Sequence, residues 1–252
     1  MPNVWQSRRK QKISMFRYLV FSLFMIGLSL QPVLAVNPVM RYFSQLLDET
    51  RAEIAIGDLM RDQFLSEFPE YLSIASDTDM SLRMRKLAEN SSRAGLAYSV
   101  LVIESDIPDE IPLPGGTLIV TAGLMKAATT SEQRDFILAR NVMHIALKHP
   151  MKLIKNEGLY PTILNQLKTR AEHRNSSILR KVLRDYLRNI PKLDHKKADL
   201  QGILLTSSPE NTRKAAIEML KSFSIRIWPV LPWDTGDLPA RIDELEKLKL
   251  PE

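Results

Sequence analysis

Arginine, asparagine and histidine stand close together in a segment that has the spacing of a helix. Arg140 and Asn141 precede His144 by four and three positions, beside an apolar stripe that includes Phe136 and Leu147. From helical periodicity alone, His144 is expected to be a structural histidine next to the core. Arg140 lies on the same flank and needs a carboxylate partner, because an unpaired buried charge costs several kcal/mol.

The element that must position these side chains is a helix predicted over Ser131–His149. Thr130 is its expected N-cap, within a capping box, and Pro150 is expected to end it. Before this helix, runs of apolar and β-branched residues at 97–104 and 117–121 predict two strands. A loop rich in proline and glycine separates them.

Helical patterns fill most of the remaining chain. They occur at about 38–68, 80–92, 160–173, 176–189, 194–205, 210–222 and 239–248. A small strand pair among many helices predicts an α+β fold that is mainly helical.

Two segments in this order resemble the M48 family of zinc metallopeptidases. They are PGGTLIVTAGLM at 114–125 and the helical LARNVMHIALKH at 138–149. In that family an LPGG-strand-GL segment precedes a helix with an H-E-x-x-H motif. The resemblance implies a zincin-like M48 peptidase domain over residues 36–252, with the small strand pair placed before the motif helix.

Three further pieces extend this resemblance. EIAIG at 53–57 is similar to the family's first helix, ADLQG at 198–202 to the end of its E-x-x-x-D segment, and RIDEL at 241–245 to its closing helix. The resemblance covers about residues 50–150 and 195–248. When the strand segment and the motif helix are counted as one piece, four pieces stand in the right order, which is more specific than any single short motif.

The departures from the family pattern fall on the chemistry. Arg140 stands at the position of the first histidine ligand and Asn141 at that of the glutamate base, while His144 matches the second histidine. His195 occupies the place of the third ligand. Arginine has no lone pair to give a metal, and asparagine cannot accept and return a proton. No catalytic residue is therefore intact, and His144 and His195 remain as residual metal-ligand positions. The family uses zinc, but no cofactor is expected here.

The resemblance also implies roles for neighbouring residues. Asp199 keeps the position of the aspartate that orients a histidine ligand, so we expect a direct Arg140–Asp199 ion pair between two helices. Thr235 falls where envelope members of the family often have another active-site histidine. His149 lies about 140° round the helix from His144 and is expected at the surface.

The second predicted strand is the candidate polypeptide-binding edge of the M48-like domain. An open strand edge can pair with an extended peptide by β-augmentation. The candidate residues are Gly116, Thr117, Leu118, Ile119 and Val120.

Composition and charge limit the compartment and the partners. The chain has 252 residues and no cysteine, which excludes a disulfide framework, a thiol nucleophile and a thiolate zinc site. Residues 1–35 carry five basic and no acidic side chains, leaving 30 basic against 29 acidic groups in the rest. The basic pI thus belongs to the first segment, and a nucleic-acid partner is not expected.

The first segment has the layout of a secretory signal peptide. A positive region at 8–12 precedes a 13-residue apolar run, Tyr18–Leu30, and Val33-Leu34-Ala35 follows. We therefore expect export to the periplasm or cell envelope, with an uncleaved membrane anchor over residues 15–36 as the alternative.

Three functions follow as hypotheses. The first is an M48-like pseudopeptidase of the bacterial envelope, which binds an extended polypeptide or an envelope protein partner, as in protein quality control. The second is an active zinc metalloendopeptidase with rearranged ligands, drawn from Glu172, Asp194 or His149. The third is a purely structural helical module. A basic run at 180–188 is expected to be a solvated face, with peripheral contact to anionic lipid or an acidic partner as the alternative.

Overall fold

The computed structural model describes residues 38–68, 75–76, 78–225 and 237–250. The chain divides into two compact units, Met1–Glu49 and Thr50–Glu252. The described part of the first unit is helical backbone. The predicted signal or anchor segment and Thr235 lie outside the described residues. No helix in the described ranges is long and apolar enough to cross a membrane.

Helices make up most of the described chain, as the sequence predicts. They are α1 Pro38–Glu67, α2 Thr78–Ala88, α3 Ala122–Ala127, α4 Ser131–Ala146, α5 His149–Asn156, α6 Tyr160–Lys168, α7 Ser176–Asn189, α8 His195–Ile203, α9 Pro209–Ile225 and α10 Leu238–Lys247. Together with a small sheet, they confirm a mainly helical α+β fold.

The sheet contains the two predicted strands and two short ones that the sequence does not signal. The strands are β1 Ala75–Ser76, β2 Ser99–Ile103, β3 Glu110–Pro112 and β4 Thr117–Thr121. Their order across the sheet is β1-β2-β4-β3. The predicted pair, β2 and β4, is parallel, whereas β3 runs antiparallel to β4 with Ile111 opposite Ile119.

The prediction that residues 116–120 form an open strand edge is wrong. β4 is bonded to β2 on one side and to β3 on the other, and all five of its residues are buried. The cause is a tight turn at 114–116, where Gly115 and Gly116 both have positive φ, which folds β3 back along β4. The backbone of Gly116, Thr117, Leu118, Ile119 and Val120 is therefore not available as the edge for an added peptide strand.

The two faces of the sheet pack against different helices. Leu118 and Val120 of β4 belong to one buried cluster, together with Phe136 of α4 and residues of α2, α9 and α10. Ile119, which alternates with them, belongs to a second cluster with Tyr186 of α7 and residues of α1, α5 and α6. The sheet thus lies between two layers of helix.

Helix α7 also covers the sheet beside β3. The Tyr186 hydroxyl donates a hydrogen bond to the carbonyl of Pro112, and burial raises the pKa of Tyr186. On the same side, α1 approaches the 114–116 turn so closely that a Cβ on Gly57 would lie 1.9 Å from the Pro114 carbonyl oxygen. Through Tyr186 of α7, the segment at 151–190 packs over β3, the strand that precedes β4. The family resemblance is weakest in this segment.

The motif helix begins as predicted and ends earlier. Thr130 and the residue three positions later form the expected capping box. The helix stops at Ala146, and the chain turns at Lys148, which has a φ of 57°. Pro150 lies in the first turn of α5 instead of ending α4, a position that suits proline because its missing N–H is not needed there. His149 therefore belongs to a different helix from His144.

Candidate functional site

Arg140 and Asp199 meet where α4 packs against α8. Gly202 makes this packing possible, since a Cβ at that position would lie 2.7 Å from the backbone nitrogen of Arg140. Asp199 precedes Gly202 by about one helical turn and so faces α4. The Arg140 Nε atom lies 3.0 Å from Asp199 Oδ1, with the two side chains 4% and 1% exposed. The predicted ion pair is confirmed, and it is buried.

Glu110 of β3 is a second carboxylate partner that sequence reasoning missed. Arg140 Nη1 donates to Glu110 Oε1. Asn141 Nδ2 donates to Glu110 Oε2 at 2.6 Å and to the carbonyl of Ile137 at 2.8 Å. Both neighbours of this amide nitrogen are acceptors, which fixes the orientation of the Asn141 amide. At the position of the general base, Asn141 is thus a hydrogen-bond donor.

Arg241 of α10 completes the arrangement from the other side of Asp199. Its Nε and Nη2 atoms donate to the two oxygens of Asp199, at 2.7 and 3.2 Å. Glu110, Arg140, Asp199 and Arg241 are each at most 3% exposed. We call these four residues the ionic network. Its charges alternate and cancel, which is the condition under which buried ions are tolerated. The network joins β3, α4, α8 and α10.

The hydrogen bonds of His195 define its tautomer. Its Nδ1 atom lies 2.9 Å from Arg140 Nη2, and its Nε2 atom lies 3.1 Å from the carbonyl of Ile190. A guanidinium can only donate, so Nδ1 is the acceptor and the proton is on Nε2. His195 is therefore a neutral imidazole with both nitrogens engaged by the protein.

The structure places His149 next to His144, not at the surface as expected. The Nδ1 atoms of the two rings are 3.0 Å apart, and His149 is 5% exposed. His149 does not continue the rotation of α4, because the chain turns at Lys148 and a new helix begins at His149. The His144 ring also lies edge-on to that of His195, at 5.0 Å between centroids.

Burial lowers the pKa of His149 to about 4. Asp194 opposes this effect, and nearby positive charge on Lys152 and Lys197 adds to it. His149 is therefore neutral at pH 7. One of the two contacting Nδ1 atoms must then donate and the other accept.

The residues at the family's zinc position do not fit a zinc ion. A catalytic zinc site needs three lone-pair donors and an open position. Here Arg140 brings a permanent cation into the site, and His195 Nδ1 accepts from that cation. His144 Nδ1 is engaged with His149. Across the described ranges, no group of three or more His, Cys, Asp or Glu side chains could hold a metal ion.

Two of the three residues considered for a rearranged ligand set are exposed. Glu172 lies in a short 3-10 turn, and Asp194 is the N-cap of α8, where its side chain accepts from the Lys197 N–H. The third, His149, contacts His144 as part of a histidine pair.

Sequence reasoning missed Glu110 and Arg241 for different reasons. Glu110 lies in a segment predicted as a loop. A core-facing arginine indicates that a carboxylate is nearby, but it does not indicate which one. Arg241 lies on a correctly predicted helix, but nothing in its spacing indicates a partner. A buried arginine on that helix carries the same need for an acid.

Comparisons with known proteins do not extend the resemblance. No model of a known family matches the sequence, and no curated protein matches it. Membership of the M48 family therefore stays a prediction, based on the four sequence pieces.

Proposed function

We propose that the protein is a non-hydrolytic, M48-like pseudopeptidase of the bacterial cell envelope, with a zincin-like domain that binds a partner protein without cleaving it. The observation that carries the proposal is the position of Arg140. Its guanidinium stands where the family's first zinc ligand would be and is held between Glu110 and Asp199, with His195 as a third contact.

The loss of hydrolysis follows from two independent substitutions. A cation at the metal position opposes Zn²⁺ binding, and the Asn141 amide donates to Glu110 instead of accepting a proton from water. Each substitution removes a different step of metal-assisted hydrolysis: the first removes metal binding, and the second removes the transfer of a proton from water. The ionic network takes the structural role instead, because it links the elements that a zinc ion would hold together.

A basic outer face on α7 supports the binding of an acidic partner. Lys181, Arg184 and Arg188 are exposed and recur at helical spacing. Arg180, beside them, pairs with Glu67 at 2.6 Å, and Arg188 lies 3.8 Å from Asp185. The face therefore keeps excess positive charge, which favours acidic protein surfaces. Association with anionic lipid is the rival outcome.

The pairing of β4 on both of its edges favours a second candidate function, a purely structural helical module. β4 is paired on both edges, and the Pro112 carbonyl of β3 accepts from Tyr186. Such a module has no need of the basic face. Charge reversal at Lys181 and Arg184 would leave its associations unchanged, whereas it should abolish capture of an acidic partner.

Zinc content and peptidase activity, measured on the same purified protein, test the proposal. We expect substoichiometric zinc after dialysis and no cleavage of casein above a no-enzyme control, with or without added zinc. Stoichiometric zinc together with casein cleavage that a chelator stops would establish the rearranged metalloendopeptidase instead. A known zinc endopeptidase under the same conditions is the positive control.

A further inference from the structure

A pocket of about 270 Å³ lies outside the ionic network, between α5 and the chain that leads into α8. Lysine side chains dominate its polar lining. The polar residues that line it are His149, Lys152, Asn156, Glu157, Lys192, Asp194 and Lys197. We call it the lysine pocket.

The two acidic groups of the lysine pocket already have partners. Glu157 lies 2.8 Å from the ammonium group of Lys192. Asp194 accepts from the backbone N–H of Lys197, at 3.1 Å, and caps α8. Glu157 therefore neutralises Lys192, whereas Asp194 keeps its negative charge, and the three lysines and two carboxylates leave the pocket with one net positive charge.

Lys152 and Lys197 supply the excess charge. Both are exposed, both line the same pocket, and neither ammonium group forms an ion pair with a described residue. They approach from different elements, Lys152 from the first turn of α5 and Lys197 from the first turn of α8. The N-terminus of α5 has no side-chain cap, so its backbone adds to the positive potential, whereas the N-terminus of α8 is already capped by Asp194.

We propose that the lysine pocket binds an organic phosphate, with Lys152 and Lys197 contacting the phosphate group. A phosphate carries close to two negative charges at neutral pH, which matches two ammonium groups better than a single carboxylate does. The pocket is larger than one phosphate group and leaves room for the organic part beside Asn156 and Leu153. A soluble phosphomonoester and a phospholipid headgroup both present phosphate oxygens to the lysines, but the monoester carries close to two negative charges and the phosphodiester of the headgroup carries one.

Binding of glycerol 3-phosphate to the purified protein, measured by isothermal titration calorimetry, tests the assignment. The variants are Lys152→Gln and Lys197→Gln, which remove one charge each at an exposed position. Lys168→Gln is the matched control, because Lys168 is an exposed lysine at the end of α6 and does not line the pocket. We expect saturable binding that each pocket variant weakens by about tenfold and the control leaves unchanged, since one charge-assisted hydrogen bond is lost. Unchanged melting temperatures exclude misfolding of the variants, and Lys197→Arg, which keeps the charge, should retain binding.

Vesicles distinguish the two sources of phosphate. Sedimentation with phosphatidylglycerol vesicles that Lys152→Gln weakens and Lys168→Gln does not would assign a lipid headgroup to the pocket. Binding to the soluble compound without vesicle association would assign a soluble phosphate. The proposal fails if glycerol 3-phosphate and the vesicles both show no saturable binding. It also fails if Lys168→Gln weakens binding as much as the pocket variants do.

Discussion

Removal of Arg140 should be among the most damaging single changes in the molecule. Arg140→Ala takes away the guanidinium that neutralises the Glu110 carboxylate, while Asp199 keeps its two hydrogen bonds from Arg241. Breaking one side of a buried ion pair costs about 3–5 kcal/mol, because a buried charge loses its compensation. For a chain of this size that corresponds to a fall in melting temperature of roughly 6–20 °C.

The reciprocal variant probes the same network from the other helix. Asp199→Ala removes the carboxylate that Arg140 and Arg241 share, while Arg140 keeps its contacts with Glu110 and His195. We expect a loss in the same range of about 3–5 kcal/mol. In the double variant, the two losses should fall short of additivity by about 1–3 kcal/mol, since the two residues contact each other directly.

Urea unfolding at pH 7 measures all three free energies, and an exposed pair provides the control. Lys126 and Asp106 form an ion pair at 2.9 Å, close to the Arg140–Asp199 distance, but their side chains are 72% and 92% exposed. Lys126→Ala should therefore leave the free energy of unfolding nearly unchanged, because solvent screens an exposed ion pair. The reasoning is refuted if Arg140→Ala costs no more than this control, or if the losses at Arg140 and Asp199 simply add.

Three further outcomes follow from the structure. Asn141→Asp should destabilise the protein by about 2–4 kcal/mol in urea unfolding, because it places a second carboxylate against Glu110 where an amide donor was. Asn141→Ala adds no charge and should therefore cost less. Gly202→Ala should cost about 3 kcal/mol or more, since its Cβ would lie 2.7 Å from the backbone of Arg140, and a melting temperature equal to the unaltered protein's would contradict the close packing. The pKa of His149 is about 4 in the folded protein and about 6.5 in the unfolded chain. As pH falls, the unfolded chain therefore takes up a proton before the folded protein does. The free energy of unfolding should decrease from about pH 6.5 downward. The expected loss between pH 7 and pH 5 is about 1–2 kcal/mol, and His149→Gln should show a shallower dependence on pH in the same titration.

The elements with strong periodicity were predictable from the sequence. The strand at 117–121 and the helix at 176–189 have the predicted bounds, because the first is a run of apolar and β-branched residues and the second has marked helical spacing. β3 was not predictable, since three residues that include a proline carry almost no strand signal. Its absence from the prediction made β4 look like an edge.

The site was partly predictable, and the reason is chemical. An arginine on a core-facing helix demands a carboxylate, and the family resemblance indicated Asp199 as that residue. Glu110 and Arg241 required the fold, since neither has a sequence spacing that points to Arg140. His149 was placed wrongly because a positive φ at Lys148 is not signalled by that residue type, so the chain reversal could not be foreseen.

Zinc affinity of the unaltered protein tests the central claim most directly, namely that the ionic network has taken the place of a metal. A competition titration against a zinc-sensitive chelating dye measures it. We predict no site tighter than about micromolar, because Arg140 occupies the ligand position and His195 Nδ1 accepts from it. A melting temperature that a strong chelator leaves unchanged should accompany this result. A stoichiometric site with nanomolar affinity would contradict the account.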